Sequence, residues 1–438
     1  MLIAFTLFAQ IAVTGVPAVD SANVARSSWA AAVRAFRAND FTSARRDVSR
    51  SASAWPSQPA YVWGRAVMAA RAGDSVEAIS ALRDYAALGL GRDLQTDTTF
   101  TVFAKKSWFA PLVAAHEANR SVIQKSIVRA TLSDSTTWPE GVDYDPRSHR
   151  YYVASVRHRT IVEVAPTGSE RELLPRDAVG NGAVLGVRVD AKKNVIWATM
   201  AGLHQMEGFT GPDSSIAALV RVRVSDGVIE RRWNLSTEKH HVLGDLAIGP
   251  AGDVFVTDSD DPALYRLRPG ADSLETLRNP LFRSLQGLAP SPDGRFLYLA
   301  DYSHGILRVD LKTKAVIRLA EPSHVTTLGC DGIVWYHGAI VAVQNGVSPA
   351  RVVRFQLDES GERIVRADLL DRNWKTADEP TIGTIVGNEF VYVANSQWDK
   401  YTDDGTRKVN VPLARPILLG VRLSCTQPPR ILDWKCSR

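Results

Sequence analysis

Gln286-Gly287-Leu288-Ala289-Pro290-Ser291-Pro292-Asp293-Gly294, followed by Phe296-Leu297-Tyr298-Leu299-Ala300-Asp301, is the stretch that decides the fold. It reads as a polar residue and a glycine, a short apolar segment, a Pro-Asp-Gly turn, an apolar strand and a polar stop. Proline and Asp-Gly preset a tight turn, and the aromatic and branched residues on either side favour extended chain. Five more copies of this unit flank it. They start at Pro139-Glu140-Gly141, Leu185-Gly186-Val187, Gly244-Asp245-Leu246, Asp331-Gly332-Ile333 and Ile382-Gly383-Thr384. The glycines at 141, 186, 244, 287, 332 and 383 step by 45, 58, 43, 45 and 51 residues. Each step holds one four-stranded blade with its loops. Ile306-Leu307-Arg308-Val309-Asp310-Leu311, turning at Lys312-Thr313-Lys314 into Ala315-Val316-Ile317, supplies an outer hairpin. With no helical pattern between the copies, residues 122–438 are expected to form a six-bladed β-propeller, making the chain mainly β. Either 127–131 or 431–434 is expected to close the ring against the last blade.

The chain upstream has a different period. Trp29, Ala32, Val33, Ala35, Arg37, Ala38, Asp40 and Ala44 recur 34 residues later as Trp63, Ala66, Val67, Ala69, Arg71, Ala72, Asp74 and Ala78. Residues 25–120 are therefore expected to form a small α-helical domain that resembles tetratricopeptide repeats. Asn39-Asp40 and Gly73-Asp74 mark the turns, and Ala44 and Ala78 mark where the second helix must approach the first. Only two units are clear, so residues 93–120, with Phe100, Phe103, Trp108, Phe109 and Leu112, are expected to add an irregular third layer. Such a module either caps the larger domain or recognises a protein partner.

The 438 residues, 45% apolar and 23% charged, leave ample chain for two packed cores. The charge balance, 52 − 47 = +5, is spread without a Lys/Arg block, and no nucleic-acid partner is expected. Residues 1–18 carry no charged side chain, run apolar from Leu2 to Val13 and end in Gly15, Pro17 and Ala18. They read as a signal peptide cleaved after Ala18, with an uncleaved anchor as the alternative. Either implies export to the periplasm or medium, with no other membrane span. Three cysteines exclude a disulfide scaffold; Cys425 and Cys436 are candidates to pair, with Cys330 left over or taking one of them.

In a meander blade the first strand starts, and the second ends, on one face of the disc. Glu140, Asp245, Gln286 and Asp331 at the starts therefore share a mouth with the stops Ser155, Thr199, Asp258, Asp301, Asn345 and Asn395. His240, His241 and His304 map to loops on that face. Carboxylates converging on an axis repel unless protons or a cation intervene. Glu140 and Asp331 with the Gln286 amide suit a hard divalent ion, Ca²⁺ first, with Mn²⁺ or Mg²⁺ next and Zn²⁺ if histidines join.

Pro139-Glu140-Gly141, Gln286-Gly287-Leu288-Ala289-Pro290-Ser291-Pro292-Asp293-Gly294 and Asp331-Gly332 resemble the SMP-30/gluconolactonase/luciferin-regenerating-enzyme-like propellers. That resemblance implies a channel ion held by Glu140, Gln286 and Asp331, and metal-assisted hydrolysis of a lactone or other ester. Asp245, Asp301, His240, His241 and His304 are the candidates for general base, undivided among them. Two departures stand out: Gln286 replaces an Asn of the family, and Gly244 stands where a further Asn is usual. The alternative function is a non-catalytic binding or sensing module using the propeller mouth and the helical repeats.

Overall fold

The computed structural model describes residues 19–423 apart from 177 and 179. The signal-peptide segment, Cys425, Cys436 and the alternative closing strand at 431–434 lie outside the described residues. The chain divides into two compact units. One comprises the residues up to 117 with the short segments 320–326 and 363–365; the other holds the rest.

The first unit contains two helix hairpins, α1 (Val19–Arg37) with α2 (Phe41–Ala54) and α3 (Pro59–Arg71) with α4 (Ser75–Ala87). Both second helices begin the same way. Asp40 accepts the Ser43 N–H and Asp74 accepts the Glu77 N–H, satisfying donors that a helix start leaves open. The residues before them, Asn39 and Gly73, take left-handed backbone that asparagine and glycine tolerate. Ala44 and Ala78 are fully buried, as close helix contact requires. A fifth helix, α5 (Phe109–Arg120), brings Phe109, Leu112 and Val113 onto Ala66, Ala69, Ala78 and Leu82, with Phe100 and Phe103 beside them. That is the expected third layer. Among the described residues no helix is long and apolar enough to cross a membrane.

The second unit is the propeller, with six four-stranded sheets. The innermost strands are Pro139–Asp145, Ala183–Asp190, Leu243–Ile248, Leu285–Pro290, Cys330–Tyr336 and Gly383–Val386. Five blades follow sequence order from the axis outward. The sixth takes its outermost strand from Ser126–Thr131, which runs antiparallel to Ile417–Arg422 and closes the ring.

Each of the first five innermost strands carries a β-bulge at its start. In the first blade Pro139 lies opposite Ser155 and Val142 opposite Val153, so Glu140 and Gly141 together face one residue. The same shift falls at Leu185-Gly186, Gly244-Asp245, Gln286-Gly287 and Asp331-Gly332. A bulge re-aims a side chain out of the ladder. The glycine following it is set by crowding between blades. A Cβ on Gly141 would sit 2.4 Å from the Leu185 carbonyl oxygen, one on Gly287 2.5 Å from that of Asp331, and one on Gly332 2.7 Å from Ile382 Cα.

Candidate functional site

The five bulges bring Glu140, Leu185, Gly244, Gln286 and Asp331 to a common ring, which Ile382, before Gly383 in the sixth blade, completes. All six line one small cavity of about 170 Å³. Glu140, Gln286 and Asp331 also line a larger cavity of about 780 Å³. The three residues expected to hold an ion thus border the same two spaces.

The electrostatics are those of an acid pair without enough donors. Glu140 and Asp331 are buried. Burial first, then the Asp331 charge, holds the Glu140 carboxyl well above the usual carboxylate range. Burial pushes Asp331 up to about 7, against the pull of the Asn345 amide. Glu140 Oε2 accepts the Trp398 indole N–H at 2.8 Å, and Asp331 Oδ2 accepts Asn345 Nδ2 at 2.7 Å. Asn345 Nδ2 also donates to the Pro380 carbonyl at 2.9 Å, which leaves Oδ1 as the amide's open acceptor. That buried oxygen has no hydrogen-bond partner among the described residues. Gln286 Nε2 lies 3.4 Å from Ser284 Oγ, and no donor reaches its Oε1 among the described residues. Two carboxylates and two amide oxygens, short of donors, form the donor set a hard cation takes. No three His, Cys, Asp or Glu side chains cluster as a metal site among the described residues, so the amides are essential to this fit. No histidine lines either cavity, which removes the ligand that favours zinc.

Gln286 and Gly244 are linked. A Cβ at 244 would meet only Gln286 Oε1, at 3.8 Å. The longer amide therefore reaches toward the space that Gly244 leaves open.

The base candidates separate. Asp245 lines the smaller cavity. It is buried, its Oδ1 accepts the Leu246 N–H at 2.7 Å, and its Oδ2 lies 3.2 Å from Arg188. Burial raises its carboxyl while Arg188 opposes the rise. Asp301, His240, His241 and His304 line neither space. Asp301 accepts the backbone N–H groups of Arg283, Ser284, Ser303 and His304 at 2.7, 3.0, 3.1 and 2.9 Å. Asp258, one blade earlier, does the same for Val242, Asp260 and Asp261 and also holds His241 Nδ1 at 2.6 Å. Two of the polar stops that read as oxygen ligands, Asp258 and Asp301, are here loop caps. His240 pairs with Asp260 at the exposed surface, and His304 lies buried beneath Asp301.

Sequence reasoning missed Trp398, and it placed Asn345 at the mouth without the bond its amide donates to Asp331. Both follow a second strand of their blade, after Val343-Gln344 and Asn395-Ser396-Gln397; an indole in a polar loop was the available signal. It also missed the mouth residues Tyr302 and Glu379. Burial raises the Glu379 carboxyl, and its Oε2 accepts the Asp399 N–H at 2.9 Å.

The family model described as SMP-30/Gluconolactonase/LRE-like region matches residues 138–368, more than half of the chain. No curated protein matches it. Among solved structures, a gluconolactonase from Xanthomonas campestris is 16% identical with a TM-score of 0.46, covering 69% of this chain and 97% of that one. A catalytically inactive virginiamycin B lyase from Staphylococcus aureus with quinupristin is 12% identical with a TM-score of 0.47, covering 69% and 100%. A luciferin-regenerating enzyme is 14% identical with a TM-score of 0.45, covering 69% and 95%.

Proposed function

The chain belongs to the SMP-30/gluconolactonase/LRE-like family, and from that premise we propose that it hydrolyses a small lactone or ester at the channel mouth with a divalent cation, calcium first. The observation that carries this reading is the pairing of two buried carboxylates with two amide oxygens that lack donors. Glu140, Gln286, Asp331 and the Asn345 oxygen would hold the ion. Such an ion polarises an ester carbonyl and makes water a better nucleophile. Trp398 fixes one Glu140 oxygen, and no donor reaches the other among the described residues. Asp245 is the proton acceptor: it alone among the five base candidates borders the same space, and Arg188 favours its ionised form before the transfer. Residues 1–18, uncharged and apolar, support export, so the reaction belongs outside the cytoplasm.

The test is turnover of a lactone and aryl-ester panel by the full chain, with calcium or EDTA. Asp331→Asn and Asp245→Asn are each expected to lower kcat/KM by about a hundredfold or more. Hydrolysis unmoved by EDTA and by both variants overturns the proposal.

A further inference from the structure

The ring of donors stands on the boundary between two unlike spaces. On the side of blades four to six, the larger cavity is walled by Ser284, Asn345, Asn373, Asp378, Glu379 and Thr381. The smaller one is walled by Leu185, Leu203 and Val242 of blades two and three and by Ile382 at the start of blade six. Glu140, Gln286, Asp331 and Trp398 face both. The small chamber's wall continues into an apolar cluster. Leu185 packs there with Trp138 and Tyr401, and Leu203, Val242 and Trp398 lie against it.

Apart from the ring groups that it shares with the larger cavity, the polar groups of the small chamber are Asp245 and Ser259, and both are already engaged. Asp245 is held by Arg188 and the Leu246 N–H, and Ser259 Oγ lies 3.5 Å from the Val242 carbonyl oxygen. Away from the ring, against Leu185, Leu203 and Val242, a hydroxyl would lose its water and gain little in return. An alkyl group would gain on both counts. An apolar cavity of about 150 Å³ accommodates one benzene, so this chamber suits a branch of about four to six carbons.

Gly244 makes the chamber. Gly141, Gly287 and Gly332 are required because backbone blocks any side chain. Gly244 is not: its backbone lies outside the left-handed region, and a Cβ there would touch nothing nearer than 3.8 Å. A larger side chain would therefore project into the chamber and fill it.

We propose that the substrate is amphipathic: a lactone or ester with its carbonyl at the donor ring, its oxygen-rich end in the larger cavity and an alkyl branch in the chamber opened by Gly244. This rests on the hydrolase reading for the reaction and on the cavity alone for the alkyl site.

The experiment uses the full chain with calcium and runs two series side by side. γ-Lactones with hydrogen, methyl, ethyl, propyl or butyl at the ring carbon report turnover. The matching γ-lactams, which are not hydrolysed, report binding by calorimetry. Lactam affinity and lactone kcat/KM are expected to rise about fourfold per methylene. Gly244→Leu is expected to erase that rise in lactam affinity, and Gly244→Ala to keep most of it. Flat series, or a rise that survives in Gly244→Leu with an unchanged unfolding midpoint, overturns the proposal. A lactam rise without any lactone turnover supports the alkyl site and refutes the hydrolase reading.

Discussion

Replacing Asp331 with asparagine keeps the shape of the side chain and removes its charge, so it isolates the cost of ionising an acid at the channel axis. Burial places the folded-state pKa of Asp331 at about 7, against an ordinary 3.8. Between those values the folded chain keeps the proton that the unfolded chain has released. Stability from this group is therefore full below pH 3.8 and lost as pH rises through about 7. About three units at 1.36 kcal/mol each makes about 4 kcal/mol across the window. Glu140 shifts in the same direction and steepens the trend. The assay is chemical unfolding of the full chain in EDTA at intervals from pH 4 to pH 8, for wild type and Asp331→Asn. The wild-type advantage is expected to fall steadily by most of that amount, and saturating calcium is expected to flatten the fall because the cation favours both ionised carboxyls. A difference between the two chains that stays constant over this range, or grows with pH in EDTA, refutes the reasoning.

Trp398→Phe removes the indole donor to Glu140 Oε2 and is expected to weaken calcium binding about tenfold, read by titration, and to abolish any calcium-dependent change in tryptophan fluorescence. Gly287→Ala forces a Cβ against the Asp331 carbonyl oxygen and Ile333 nitrogen; denaturation should show a loss of about 2 kcal/mol or more, with Gly244→Ala nearly neutral. Asp301→Ala strands four backbone donors, so its unfolding midpoint should fall clearly while kcat of the folded fraction stays near wild type.

The repeats were legible because blade geometry imposes short-range patterns. Close approach of neighbouring strands demands Gly141, Gly287 and Gly332, and each demand leaves a glycine at a regular place. The paired Asp40 and Asp74 caps at an offset of 34 residues did the same for the helices. Ring closure by residues 127–131 was one of two alternatives, since a lone strand carries no mark of its distant partner. The convergence of Glu140, Gln286 and Asp331 followed from topology. Less legible were the groups whose roles depend on loop paths. Asp301 and Asp245 have the same chemistry in sequence, yet one caps its own loop and the other faces the cavity beside Arg188. Trp398 reaches Glu140 across 258 residues of chain, and Asn345 reaches Asp331 across 14 and Pro380 across 35, which no local pattern encodes.

The most direct test of the account is thermal unfolding of the full chain in EDTA and then in calcium, beside Asp331→Asn. Calcium at about a hundred times its dissociation constant adds about 2.7 kcal/mol to the folded state. The account predicts a clear rise in the wild-type midpoint and none in Asp331→Asn. No rise in the wild type, or an equal rise in both chains, would contradict a channel ion held by Glu140, Gln286 and Asp331.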